Sequence, residues 1–149
     1  MKLRHLTTSA LALIVMAACT DATGVGIEPN DLAGTWTSTS FVLTSVENPS
    51  MTMDLVAEEG ALATLVLGAD GAYTFTFTST VEETENETGT YVVLGNTMTV
   101  TPLIPDGLDP EDMGIVRVGD TLTLTLDDEV VFTDGGQAEA AVLVIVLTR

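Results

Sequence analysis

Lysine, histidine and cysteine are nearly missing from this sequence. Among 149 residues there are one Cys, one His and four Lys or Arg, and aromatic side chains make up 5%. A single Cys cannot close an intrachain disulfide. Lys2, Arg4 and His5 crowd the N-terminus, so the rest of the chain has no Lys or His, and its basic residues are Arg117 and Arg149. That poverty excludes a Ser-His-Asp or Cys-His centre, a Schiff-base lysine and the usual zinc site built on His and Cys. Aromatics are too sparse for the sugar-binding cleft of a two-carboxylate glycosidase, and no Gly-rich phosphate loop is present. The chain is therefore expected not to be an enzyme and to need no cofactor or metal.

The N-terminus has a distinct composition. Residues 1–18 carry a short basic start and a continuous apolar run from Ala10 to Ala17, which is too short for a permanent membrane span and reads as a signal peptide. Val15-Met16-Ala17-Ala18-Cys19 resembles the lipobox of bacterial lipoproteins, with Met16 where that family usually has Leu. The resemblance implies cleavage before Cys19 and a lipid on the new N-terminal Cys, which would account for a lone thiol in an oxidising envelope. Ordinary secretion with an incidental Cys is the alternative. The location expected is the cell envelope, anchored to a bacterial membrane at the outer membrane or cell surface. Residues 19–30, small and polar with Pro29 near the end, form a lipidated tether, and residues 31–149 form a single domain.

Cleavage before Cys19 leaves two arginines against all 22 acidic residues, a formal charge of −20. Nothing then remains to neutralise phosphates, which excludes nucleic acid as a partner, and the protein's own charge cannot hold it on an anionic membrane. Three acidic clusters offer oxygen ligands: Glu82, Glu83, Glu85 and Glu87; Asp106, Asp109, Glu111 and Asp112; and Asp127, Asp128 and Glu129. None has the spacing of an EF-hand loop, and solvated hairpin tips are the expected reading.

The domain reads as short runs alternating with period two between turn residues, the pattern of antiparallel strands. Leu62 to Leu67 and Tyr73 to Thr78 flank the turn Gly68-Ala69-Asp70-Gly71, with Tyr73, Phe75 and Phe77 on one face. Gly89 to Leu94 and Thr97 to Thr101 flank Gly95-Asn96, a loop suited to positive φ. Gly34 to Val46 is a first strand long enough to bend and serve two parts of a barrel. Met51, Met53 and Leu55 suggest a weaker strand, and Ile115 to Val118 and Thr121 to Leu126 two more. Ala140 to Thr148 is apolar on both faces and should close the sheet. Pro102 to Gly114 is the longest expected connection, a surface loop or a lid over one end of the barrel. With no amphipathic helix of three turns, the fold class is all-β: a small antiparallel up-and-down β-barrel of about eight strands.

Leu32-Ala33-Gly34-Thr35-Trp36 resembles the Gly-x-Trp start of lipocalins and lipocalin-like bacterial proteins. Gly95-Asn96-Thr97-Met98-Thr99-Val100 and Gly119-Asp120-Thr121-Leu122-Thr123-Leu124 look like strand repeats of such domains. The resemblance implies structural closure of the barrel by Gly34, Trp36 and Arg149, with the arginine packed over the indole; Arg117 is the other arginine that could serve.

Tyr73, Phe75, Phe77, Tyr91, Met98, Leu122 and Leu124 are the expected interior and the candidate ligand-binding residues. A barrel of this size can hold a small apolar ligand or fill its interior with side chains. The first outcome makes the protein a non-enzymatic binding or carrier module in the envelope. The second makes it a structural or protein-interaction module, with a partner that the sequence does not identify.

Overall fold

The computed structural model describes residues 27–80, 83–105, 107–132 and 137–149. The expected signal peptide, the lipobox-like stretch with Cys19, the first part of the expected tether, Glu82 and Asp106 lie outside the described residues. Helix α1 (Pro29–Leu32) leads into β1 (Gly34–Ser45), β2 (Thr52–Asp54), α2 (Leu55–Glu59), β3 (Leu62–Leu67), β4 (Ala72–Thr78), β5 (Glu85–Leu94), β6 (Thr97–Ile104), β7 (Glu111–Val118), β8 (Thr121–Val130) and β9 (Glu139–Thr148). Among the described residues, no helix is long and apolar enough to cross a membrane.

From β3 to β9 every strand pairs antiparallel with the next, and β9 returns to pair with β1 from Thr37–Thr148 to Ser45–Ala141. The result is a closed, eight-stranded, up-and-down barrel with β2 as an extra strand. β3 pairs with the first part of β1 (Gly34 to Thr37) and β2 with the later part (Val42 to Thr44), on the edge opposite β9. The chain beside that edge is thus one course broken by α2. Asp54 starts this helical turn by accepting hydrogen bonds from the N–H groups of Val56 and Ala57, and Gly60 ends it in the left-handed conformation. The Met51–Leu55 run therefore splits: its centre is a strand, and Leu55 opens a helix.

The register of β1 shifts between Ser38 and Ser40. Trp36 and Ser38 face inward before this bulge, and Phe41, Leu43 and Ser45 after it. One extra residue thus moves the core face from even to odd positions. Ser38 is a buried polar residue in an apolar wall, and its Oγ accepts the N–H of Ala63 at 2.8 Å, close to where α2 interrupts pairing with β1. That bond spares a buried donor the cost of going unpaired, about 1–3 kcal/mol.

Two strands are longer than the alternation predicts. β8 continues through Asp127, Asp128 and Glu129, whose partners are Val142, Ala141 and Ala140, so this acidic run lies on a strand and not at a hairpin tip. β7 begins at Glu111, which pairs with Val100, and β6 reaches Ile104, so the connection expected from Pro102 to Gly114 shrinks to residues 105–110. Leu103 and Ile104 are 59% and 64% exposed and cover nothing as a lid would. Prolines and acidic residues disguised both strand ends, because neighbouring strands and burial impose pairing that local composition does not favour.

Candidate functional site

The barrel has two unlike ends. At one, α1 and the short turns 68–71, 95–96 and 119–120 gather around Trp36, which is 0% exposed. The indole Nε1 donates to the carbonyl of Leu32 at 2.7 Å, fastening the helix to the strand after it. The guanidinium of Arg149 lies 4.5 Å from the centre of the Trp36 ring. Its Nη1 donates to Ala33 O at 3.1 Å, and its Nε pairs with Asp120 at 3.4 Å. Gly34 has a φ of 144°, a conformation that strains an L side chain, and the chain turns there from α1 into β1. Tyr91 adds a further tie, its hydroxyl donating to Gly68 O at 2.8 Å. Arg117 does not take the place over the indole: its Nε donates to Gly119 O at 3.1 Å in its own hairpin turn.

Above this plug the interior is packed. Pairing places Tyr73, Phe75, Phe77, Tyr91, Met98, Leu122 and Leu124 on the inward face, and all but Phe75 are buried. Most of the candidate ligand-binding residues therefore touch one another and their core neighbours. Phe75 packs against the core while remaining half-buried.

Toward the opposite end the wall is incomplete. Among the described residues, the β7–β8 ladder runs from Gly114–Thr125 to Val118–Thr121, and above it β8 pairs with β9 alone. β7 starts at Glu111, the partner of Val100, short of the ends of β6 and β8, which leaves a notch in the strand pairing at the rim. Met113 and Leu126 pack against the core beside this notch yet stay half-buried, and Glu111 and Asp128 are the next residues up on their inward faces. Alternation marks Leu126 as inward-facing, whereas Met113 falls in the connection expected from Pro102 to Gly114 and is placed on the inward face by its pairing with Met98.

A polar group lies inside the same half. Phe75 pairs with Glu87, which fixes Glu87 as inward-facing although it stands in an acidic run. The Tyr73 hydroxyl donates to Glu87 Oε1 at 2.5 Å. Gly89 makes room for this: a Cβ there would stand 2.7 Å from Tyr73 Cε1 and 2.2 Å from Thr101 O. Burial first, then the hydrogen bond to Glu87 and the charges of Glu87 and Glu111, push the Tyr73 phenol far above its usual 10.0. Burial and Asp70 raise Tyr91 as well.

These are the only two tyrosines in the chain. Their folded-state pKa values exceed the unfolded value near 10, so the stability they contribute is complete below about pH 10 and is lost as pH rises above it. An alkaline titration followed by tyrosinate absorbance should show no step near pH 10 in the folded protein. It should show one cooperative rise that coincides with loss of the β-sheet circular dichroism signal.

Among the described residues, no group of three or more His, Cys, Asp or Glu is placed to hold a metal ion. The chain matches no protein-family model, no curated protein and no solved structure.

Proposed function

We propose that this chain is a lipid-anchored envelope protein whose lipocalin-like barrel binds a small, largely apolar molecule at its notched end. The observation that carries the reading is the contrast within one interior. Trp36, Leu67, Tyr91, Met98, Leu122 and Leu147 are buried, whereas Met113 and Leu126, which flank the break in the wall, and Phe75 on β4 are only partly buried. Accessible concave apolar surface with a few polar groups is the usual character of a small-molecule site. The polar groups in that half are Glu87 with its hydrogen-bonded Tyr73 hydroxyl, and Glu111, none arranged with a nucleophile and base for catalysis, so the role proposed is binding. Attachment through Cys19 is supported by the lipobox-like sequence.

Native mass spectrometry of the protein extracted from its host membranes tests the reading. The expected result is an added mass that leaves on denaturation, together with acyl mass on a peptide that starts at Cys19. Met113→Trp, which fills the notch, should abolish the added mass while leaving the circular dichroism spectrum unchanged. A bare protein that also takes up no apolar probe would defeat the ligand reading. The packed lower interior would then favour the second one, a filled barrel that serves as an interaction module.

A further inference from the structure

The charges of the barrel are distributed unevenly between its ends, whereas exposed apolar residues occur at both. Leu94 and Val118 are the last residues of β5 and β7, immediately before the turns 95–96 and 119–120, and they are 85% and 72% exposed. Val116, 54% exposed, shares the outer face of β7 with Val118. No β6 residue lies beside the lower part of β7, because β6 begins at Thr97, the partner of Gly114. Leu94 is separated from β7 by its partner Thr97, so the three side chains make a discontinuous apolar strip on the outer face at the end plugged by Trp36.

Both arginines sit at that same end. Among the described residues its carboxylates are Glu28, Asp31, Asp70 and Asp120, and Asp120 is paired with Arg149. The opposite end carries Glu47, Glu58, Glu83, Asp109 and Glu129 among others, with neither arginine. Leu103, Ile104 and Val46 are also exposed there, but the surrounding charge opposes approach to a bilayer.

The N-terminal segment joins the fold at the Trp36 end, where Ile27 packs against the core just before α1. Seven residues, Thr20 to Gly26, separate Cys19 from Ile27, a reach of about 25 Å at full extension. A ten-residue strand such as β8 is about 33 Å long, and at the tilt of strands in a closed barrel it still spans about 25 Å along the axis. Turning the far end toward the membrane would therefore use nearly the whole tether.

From these three placements we infer that the Trp36 end of the barrel docks on the lipid bilayer, with Leu94, Val116 and Val118 in contact with lipid and the notched, acidic end turned away. The inference rests on attachment at Cys19 as proposed above. It assigns the strip to a bilayer surface, because the tether delivers it there and this end is the less repelled by anionic headgroups. A ligand would then enter from the side away from the membrane.

Bromine-substituted lipid tests the orientation. The full protein is placed in phosphatidylcholine vesicles with brominated acyl chains, carrying one added tryptophan as Leu94→Trp, Val118→Trp, Glu58→Trp or Asp109→Trp. The parent protein supplies the constant emission of buried Trp36. Leu94→Trp and Val118→Trp should lose roughly half or more of the added emission, as expected for side chains within the headgroup–acyl boundary. Glu58→Trp and Asp109→Trp should lose none. Equal quenching at both ends, stronger quenching at Glu58→Trp or Asp109→Trp, or none at any position would overturn the inference. Should mass spectrometry show Cys19 without acyl chains, the lipoprotein reading falls separately. The same four variants, coupled through the Cys19 thiol to a maleimide lipid, then decide the orientation.

Discussion

Trp36→Ala should remove about 3–5 kcal/mol of folding stability, the range for deleting a buried aromatic side chain. Three interactions fail together: close packing of a fully buried indole, the 2.7 Å hydrogen bond to Leu32 O, and the stacked guanidinium of Arg149. Small domains have only about 5–15 kcal/mol in total, so this one change can approach half of it. Urea unfolding followed by far-ultraviolet circular dichroism should show the midpoint fall by roughly 2 M. Arg149→Ala should cost about 1 kcal/mol, because its cation–π contact is part-exposed. If the two variants prove equally damaging, the arginine is a larger part of the plug than its exposure implies.

Gly89→Ala should be nearly as harmful, although it adds a single methyl group. The new Cβ would meet Thr101 O at 2.2 Å, Tyr73 Cε1 at 2.7 Å and Pro102 Cα at 3.0 Å. Two of those are backbone atoms of the paired strand and cannot swing aside. The expected loss is at or above the about 1–3 kcal/mol typical of overpacking. Tyr73 must also leave Glu87, and this separates the effect from a general loosening. The variant should show a tyrosinate step at lower pH than the parent, before the sheet unfolds. Ser at the same position should behave like Ala, since the collision lies with Cβ itself.

Much of the fold is legible because period-two alternation is a local property. Tyr73-Thr74-Phe75-Thr76-Phe77 and Thr121-Leu122-Thr123-Leu124 announce their inward faces residue by residue, and Gly95-Asn96 supplies the turn between its strands. β7 is harder to read, because Glu111-Asp112-Met113 is strand only through pairing with β6, and β8 joins from Gly114 onward. The β1 bulge is equally hidden. Thr37-Ser38-Thr39-Ser40 is uniformly polar and small, so nothing in it marks where the inward face changes parity. The candidate site divides in the same way. Phe75 stands in a clean alternating run, whereas Glu87 looks like one more solvated acid until its partner across the sheet is known.

Composition and order along the chain dictate an all-β domain, strongly acidic and with no Lys or His after residue 5. These are matters of residue type and of neighbours a few positions apart, and they survive without knowledge of what meets in space. Which strand closes on which, that β7 stops short of the rim, and that Tyr73 crosses Gly89 to reach Glu87 depend on contacts between residues far apart in sequence. So does the gathering of Leu94, Val118, both arginines and the N-terminal entry at one end of the barrel. Closure of the sheet sets those contacts, because each strand's register is fixed by two neighbours at once and by one shared interior.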